Sequence, residues 1–339
     1  MKIWTMGELL VEIMRPEPNM PLDKPGLFRG PFPSGAPAIF IDTVARLGHQ
    51  AGIISGVGND GFGQCCLARL ENDGVDTRLV RQVEGGSTAV AFVAYDSTGE
   101  RSFIFHIGNT PATSATCPQA MDVISVSLDK SENMPHGMSL FSSVPAYFHI
   151  MGCSLMADEN FYKEILKTAQ MFHKLGAKIS FDPNIRPELL GGRSLTGLVA
   201  PIMASCSVLL PGYAELLALS GEADMETAVR ALFENPVLEI IAVKLGHEGC
   251  RIFTRNEDFT LGVYPITPAD ATGAGDCFDA GFLCGLVDKL PLPAAARQAA
   301  AVAALNTAAF GPMEGDISPD SVKKLQMLHQ ILEEHVNLI

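Results

Sequence analysis

Tyr264-Pro-Ile-Thr-Pro-Ala-Asp270-Ala-Thr272-Gly273-Ala274-Gly275-Asp276-Cys-Phe-Asp-Ala-Gly281 is the stretch on which the reading of this chain turns. A β-like run, Leu261 to Ile266, leads into it, and a helix of small and apolar residues, Cys277 to Val287, leads out. Glycines at such a junction permit positive φ, so successive N–H groups can point into one concavity. The first helical turn adds N–H groups without carbonyl partners and the positive end of the helix dipole. Gly273, Ala274 and Gly275 therefore read as a cradle for an anion, a phosphate above all. Asp276 is the odd member, because a carboxylate repels phosphate. Two readings fit it: a group that takes a proton from something beside the phosphate, or an ordinary early-helix aspartate.

Composition narrows the field. A chain of 339 residues with 47% hydrophobic and 18% charged residues is globular. At this length about three quarters of the unfolded surface can be buried. The net charge of −14 argues against nucleic acid or an anionic membrane as the main partner. No run of about eighteen apolar residues is present, and Met1 to Glu8 enters a strand pattern directly, without the pattern of a secretory leader. The eight cysteines show no zinc spacing, so reduced thiols and a cytoplasmic setting are expected.

Asp270-Ala-Thr-Gly-Ala-Gly-Asp276, with Ala280-Gly281 after it, resembles the C-terminal signature of the PfkB (ribokinase-like) carbohydrate kinases. Ala271 stands where that family usually has Thr. The resemblance implies an α/β fold with a mainly parallel central sheet flanked by helices, and a small β-sheet lid. It implies ATP-dependent phosphorylation of a sugar hydroxyl, with Asp276 as the general base and the backbone from Gly273 to Asp276 as an anion hole. ATP and Mg²⁺ follow as cofactors. Some members also bind a monovalent cation, K⁺, near the positions of Asp270 and Thr272.

The N-terminal half fits this resemblance. Lys2 to Val11 reads as a buried strand interrupted at Gly7-Glu8, and Glu12 sits where an acid holds the sugar in fructokinase-like members; an exposed strand end is the alternative. The proline-rich Arg15 to Phe32 cannot be helix and suits an edge segment covering something. Ser34-Gly35-Ala36-Pro37 opens a helix ending at Arg46-Leu47-Gly48 and resembles the N-terminal signature, which implies that Gly35 and Ala36 lie against the sugar. Ile39 replaces the usual Asn. Gly56-Val-Gly58-Asn-Asp60-Gly61 has the form of a dinucleotide fingerprint. That reading is rejected, because Asp76 falls in a helix end and turn rather than at the far end of the next strand. Asp60 is then either a sugar ligand or a helix cap. Ser87 to Tyr95 and Arg101 to His106 read as a hairpin whose inward face carries Phe103 and Phe105, or equally Arg101 and His106. The lid would comprise approximately residues 12–33 and 87–107, and the family often dimerises through it. Residues 115–145 are irregular and carry no functional reading.

In the C-terminal half, the strand–helix–strand rhythm of Tyr147 to Asp182 independently argues for parallel sheet. Asp182-Pro-Asn184-Ile-Arg186 lies at a strand's carboxyl end, where ligands collect. Arg186 suits a phosphate or an acidic sugar, and Asn184 a loop brace or a Mg-bound water. By resemblance Glu215 stands near hydrated Mg²⁺, although Gly212 replaces the usual Asn and a first-turn Glu is ordinary. Lys244, Gly246 and Gly249 resemble the nucleotide-contacting loop. The alanine-rich helix Pro293 to Ala309 brings Asn306 and Gly311 near an adenine pocket by resemblance, helix packing being the commoner reason for its small side chains. A ketohexose such as fructose or tagatose is the expected sugar, with 2-keto-3-deoxygluconate as the alternative and nucleosides less favoured. A non-catalytic sugar-binding protein or an NAD-dependent oxidoreductase would be the reading from another class.

Overall fold

The computed structural model describes residues 2–99, 101–129 and 144–336. Among these the strands are β1 (Lys2–Met6), β2 (Leu10–Met14), β3 (Arg29–Ser34), β4 (Gln50–Gly58), β5 (Asp76–Val83), β6 (Ala89–Tyr95), β7 (Arg101–His106), β8 (Tyr147–Met151), β9 (Lys178–Asp182), β10 (Cys206–Leu209), β11 (Ile240–Lys244), β12 (Cys250–Phe253) and β13 (Asp258–Leu261). One sheet runs β13-β12-β11-β10-β9-β8-β1-β4-β5, parallel throughout except where β12 pairs antiparallel with both neighbours. The other runs β3-β2-β6-β7 and forms the lid.

Central strands such as Lys2–Met6 and Tyr147–Met151 are buried along their whole length, since helices cover both faces of a parallel sheet. Lys2 escapes an unpaired burial by meeting Asp76 at 2.7 Å. The expected single strand Lys2 to Val11 is in fact two. The chain leaves the main sheet after Met6 and enters the lid at Leu10, so Glu8 lies at the seam between the sheets. Asp76 is likewise the first residue of β5 rather than part of a turn.

The run before the signature is also corrected. Strand β13 ends at Leu261, and residues 262–273 have no regular structure. Pro265 and Pro268 lack N–H groups with which to extend a ladder. The signature helix, Ala274–Val287, is buried from Asp276 to Gly285 and packs on the alanine-rich helix Leu292–Thr307. A Cβ on Gly281 would stand 2.9 Å from the Ala299 Cα, which is why both partners are small. Helix packing accounts for that composition. The stretch 115–145, expected to be irregular, contains a helix, Ala120–Asp129, while residues 130–143 and Leu338, at the end of the expected final helix, lie outside the described residues.

Replacing Gly281 by Ala should cost about 1–3 kcal/mol through forced separation of these helices. Urea unfolding checks this, and an unchanged midpoint would mean the helices are not in such close contact.

Candidate active site

The carboxyl ends of β1, β8, β9, β10 and β11 converge with the N-terminus of the helix Ala274–Val287, the edge at which open α/β sheets hold ligands. Gly273 caps that helix with φ of 78°, and a Cβ there would meet the Pro312 carbonyl at 2.6 Å. Only glycine fits. Beyond it, the N–H groups of Gly275 and Asp276 have no carbonyl partner among the described residues, leaving an amide-lined hollow.

Hydrogen bonds fix the loop before this hollow. Asp270 Oδ1 accepts from the Thr272 N–H at 2.9 Å, the Thr272 hydroxyl at 2.8 Å and the Tyr95 hydroxyl at 3.0 Å. Its Oδ2 accepts from the Gly311 N–H at 3.0 Å. Asn306 Nδ2 donates to the Thr272 carbonyl at 2.7 Å. Asn306 is wholly buried, and both Asn306 and Gly311, expected from resemblance near an adenine pocket, brace the signature loop. The Asp270 carboxylate, expected beside a monovalent cation, is engaged by four donors of the chain itself, and the Thr272 carbonyl by a fifth. That shell does not fit a cation, and no step is derived through one.

Two clefts meet at Asp276. The first lies between Glu8, Glu12, Gly35 and Ala36 on one side and Phe103 and Phe105 of the lid on the other. The second is lined by Lys244, Glu215 and Asp182, together with Gly246 and Gly275. Asn184, Arg186, Arg101, Gly273 and Asp276 belong to both. Strand periodicity settles the lid's inward face: Arg101, Phe103 and Phe105 share it, whereas Ser102, Ile104 and His106 face away. Pairing Arg101 with His106 was wrong by one register step.

Residues 32–319 match the description pfkB family carbohydrate kinase. The chain belongs to that family. It is 30% identical over 290 residues to "Probable fructokinase-4" of Arabidopsis thaliana, covering 84% of this chain and 82% of the relative. It is 28% identical over 288 residues to fructokinase-2 of Solanum lycopersicum, with 84% and 82% covered. Among solved structures, the E. coli protein described as "a putative Ribokinase II", in complex with ATP and Mg²⁺, superposes with a TM-score of 0.83 at 35% identity, covering 97% of this chain and 99% of that one. The protein is an ATP-dependent carbohydrate kinase.

The kinase arranges charge around Asp276 with care. Burial pushes its carboxyl up to about 7, with Asp182 adding to the rise and Lys244 and Arg186 opposing it. Asn184 Nδ2 donates to its Oδ1 at 3.1 Å, which orients the side chain at the join of the clefts. Lys244 does not stand free to meet phosphate. Its ammonium lies 2.8 Å from Asp182 and 3.1 Å from Asp279, both buried. Burial alone would lower its pKa, but these two carboxylates raise it. Beneath them burial drives His149 down to about 3, so it is neutral, and its Nδ1 meets the Ser180 hydroxyl at 3.0 Å.

Other expected residues take structural positions. Glu215 accepts from the Ile185 and Gly212 N–H groups, each at 2.7 Å, and so ties two loops of the cleft floor. Asp60 caps the helix Gly61–Asn72, taking the Gly63 N–H at 2.8 Å and Thr88 through both oxygens. It is not among the residues lining either cleft. Gly249 is required where β12 and β13 adjoin, since its Cβ would meet the Leu261 carbonyl at 2.0 Å. The rejected dinucleotide loop is closed: Cβ atoms on Gly56 and Gly58 would meet the Pro111 and Gly86 carbonyls, each at 2.2 Å.

Sequence reasoning passed over Asp182, Asp279, Cys153, Ser154 and Tyr95. Glu8 accepts from the Ser154 hydroxyl and the Cys153 thiol, on a helix more than a hundred positions away. Asp279 carried a signal, being three residues past Asp276 on a helix otherwise free of charge. With the Asp276 carboxyl half ionised near pH 7, any step that needs its carboxylate form should make kcat/KM for the sugar fall as pH drops through about 7 and level off above it. A pH–rate profile checks this, and an acid limb well below 5 would contradict the electrostatics described.

Proposed function

We propose that this kinase phosphorylates a free ketohexose such as fructose or tagatose, with Asp276 as general base. The observation that carries the reading is the position of Asp276, at the join of a hydroxyl-accepting cleft and an amide-lined one. Glu12 Oε1 accepts from the Ser34 hydroxyl at 2.8 Å, while its Oε2 is buried without a partner, an acceptor suited to a sugar hydroxyl. Gly35, with φ of 107° and its Cβ position 2.4 Å from the Glu8 carbonyl, brings backbone close to that hydroxyl. Ile39 and Leu10 make part of the wall apolar, suited to the carbon face of a ring. The fructokinase names of the relatives support the same sugar class.

The hydroxyl attacks the γ-phosphorus, its proton passes to Asp276, and ADP departs. The N–H groups of Gly275 and Asp276 hold the charge that develops on the transferred group. Mg²⁺ would neutralise further charge on the phosphates. Glu215, which lines this cleft, would hold water of such an ion, since no cluster of three metal-ligating side chains occurs among the described residues. Arg186 lies half-buried at the same join and suits a phosphate oxygen. Two cations, Arg101 and Arg186, are the one feature favouring 2-keto-3-deoxygluconate instead. Against it, Glu8 and Glu12 on the opposite wall would repel a carboxylate.

An ADP-release screen with Mg-ATP over ketoses, aldoses, keto-deoxy acids and nucleosides should favour a ketohexose; preference for the keto-deoxy acid would replace the substrate assignment. Asp276→Asn should keep the fold and lose about 10²–10⁴ in kcat, or roughly 3–5 kcal/mol of transition-state stabilisation. Near-normal turnover would remove the base.

We read the kinase further as a cytoplasmic homodimer joined through its lids. All eight cysteines are free thiols, as a reducing setting keeps them. The outer lid face exposes Ile104 by 46% and carries Phe28, 40% exposed, against Phe92. Sedimentation should show a dimer that Ile104→Glu separates. A monomeric native protein would end that reading.

A further inference from the structure

We propose that Arg101, carried on lid strand β7, is a catalytic residue whose guanidinium reaches the phosphoryl group in transit. Five residues are common to the sugar cleft and the phosphate cleft, and Arg101 is the one among them that the lid supplies. Its guanidinium has no hydrogen-bond or carboxylate partner among the described residues, and its one contact is the Phe103 ring at 5.6 Å. Arg186 flanks the same ring at 5.7 Å. Two forks of donors thus converge on one ring at the join, with a single protein acceptor, the Ile185 carbonyl, used by Arg186.

A second observation fixes where Arg101 stands. Its cross-strand partner on β6 is Tyr95, so the two side chains share the inward face of the lid. Tyr95 is clamped to the signature loop, its hydroxyl 3.0 Å from both Asp270 Oδ1 and Thr272 Oγ1. That clamp sets the height of the hairpin above Gly273, and with it the height of Arg101. Burial raises both Asp276 and Glu12, and the charge of Arg101 is among those that oppose the rise.

The chemistry gives such a cation a task. The sugar oxygen forms a bond to the γ-phosphorus, the bond from that phosphorus to the bridging oxygen breaks, ADP takes the electron pair, and the proton goes to Asp276. Charge accumulates on the equatorial and bridging oxygens, which a planar guanidinium can engage in pairs. The signature amides serve one side of that group, and Arg101 serves the lid side. Because the residue arrives with the lid, charge compensation is complete only when the cleft is covered, and ATP without a sugar beneath the lid is spared hydrolysis.

The inference rests on Asp276 marking the point of transfer, and kinetics of four variants separates the two ideas. Arg101→Met should lower kcat by about a hundredfold or more at saturating Mg-ATP and sugar, with the sugar KM within about threefold of the native value. Arg101→Lys should recover part of the loss, and ethylguanidinium should partly rescue Arg101→Met. Tyr95→Phe should lower kcat about tenfold alone but add little to Arg101→Met, since one acts through the other. An unchanged kcat with a raised sugar KM would make Arg101 a sugar ligand and overturn the proposal. So would a kcat loss that tracks a lowered thermal midpoint with no ethylguanidinium rescue, which would assign it to holding the lid. If Asp276→Asn stays active while Arg101→Met does not, the base assignment fails and the role of Arg101 stands.

Discussion

A carboxylate can share a helical turn with a phosphate cradle only if its charge is contained, and the architecture of this kinase follows from containing Asp276. Burial raises its proton affinity, Asn184 holds one oxygen, and Lys244 and Arg186 offset the neighbouring Asp182. The result is a carboxyl poised near neutrality beside amides without carbonyl partners among the described residues. A more exposed aspartate would titrate lower and accept a proton less readily, and one buried without cations would stay protonated.

Below this group lies a compact set of buried ions. Lys244 bridges Asp182 and Asp279, and neutral His149 closes the set from underneath. Burial, with Asp182 beside it, pushes the Asp279 carboxyl well up, whereas Lys244 holds Asp182 below the ordinary carboxylate range, and the buried set is tolerable because each member is hydrogen-bonded. The lysine thus acts on the phosphate cleft as a screened source of positive potential, not as a free hand. This local balance also bears on how a chain of net charge −14 accommodates a polyanion: the helix amides and the cations Arg101, Arg186 and Lys244 line the cleft beside Asp276, where local charge counts for more than the global sum.

The lid is joined to the same machinery. Tyr95 reaches from β6 to Asp270 and Thr272, so the position of the sugar's cover and the shape of the phosphate loop are a single mechanical unit. Glu8, at the seam where the chain passes from one sheet to the other, is held by Ser154 and Cys153 from beyond β8. The cleft acids, the lid and the signature loop are therefore positioned by one another.

Much of this was legible in the chain. The density of glycine and acid between Asp270 and Asp276, the alternation of Arg101 to His106 and the buried runs of the central strands each depend on local backbone geometry, which sequence encodes directly. Those patterns point to an α/β fold, while the kinase activity, the lid and the weight placed on Asp276 follow from the resemblance that the signature residues carry. Asp60, Asn306, Gly311 and Glu215 show the limit: their residue types suited ligands, but capping and loop bracing claim the same donors and acceptors, and a polar side chain's choice between ligand and backbone is made by what folds up beside it. The clamp of Tyr95, the pairing of Lys244 with Asp182 and Asp279, and the orphaned oxygen of Glu12 join positions far apart along the chain. Such contacts leave no periodic trace, so only the tertiary structure could decide them.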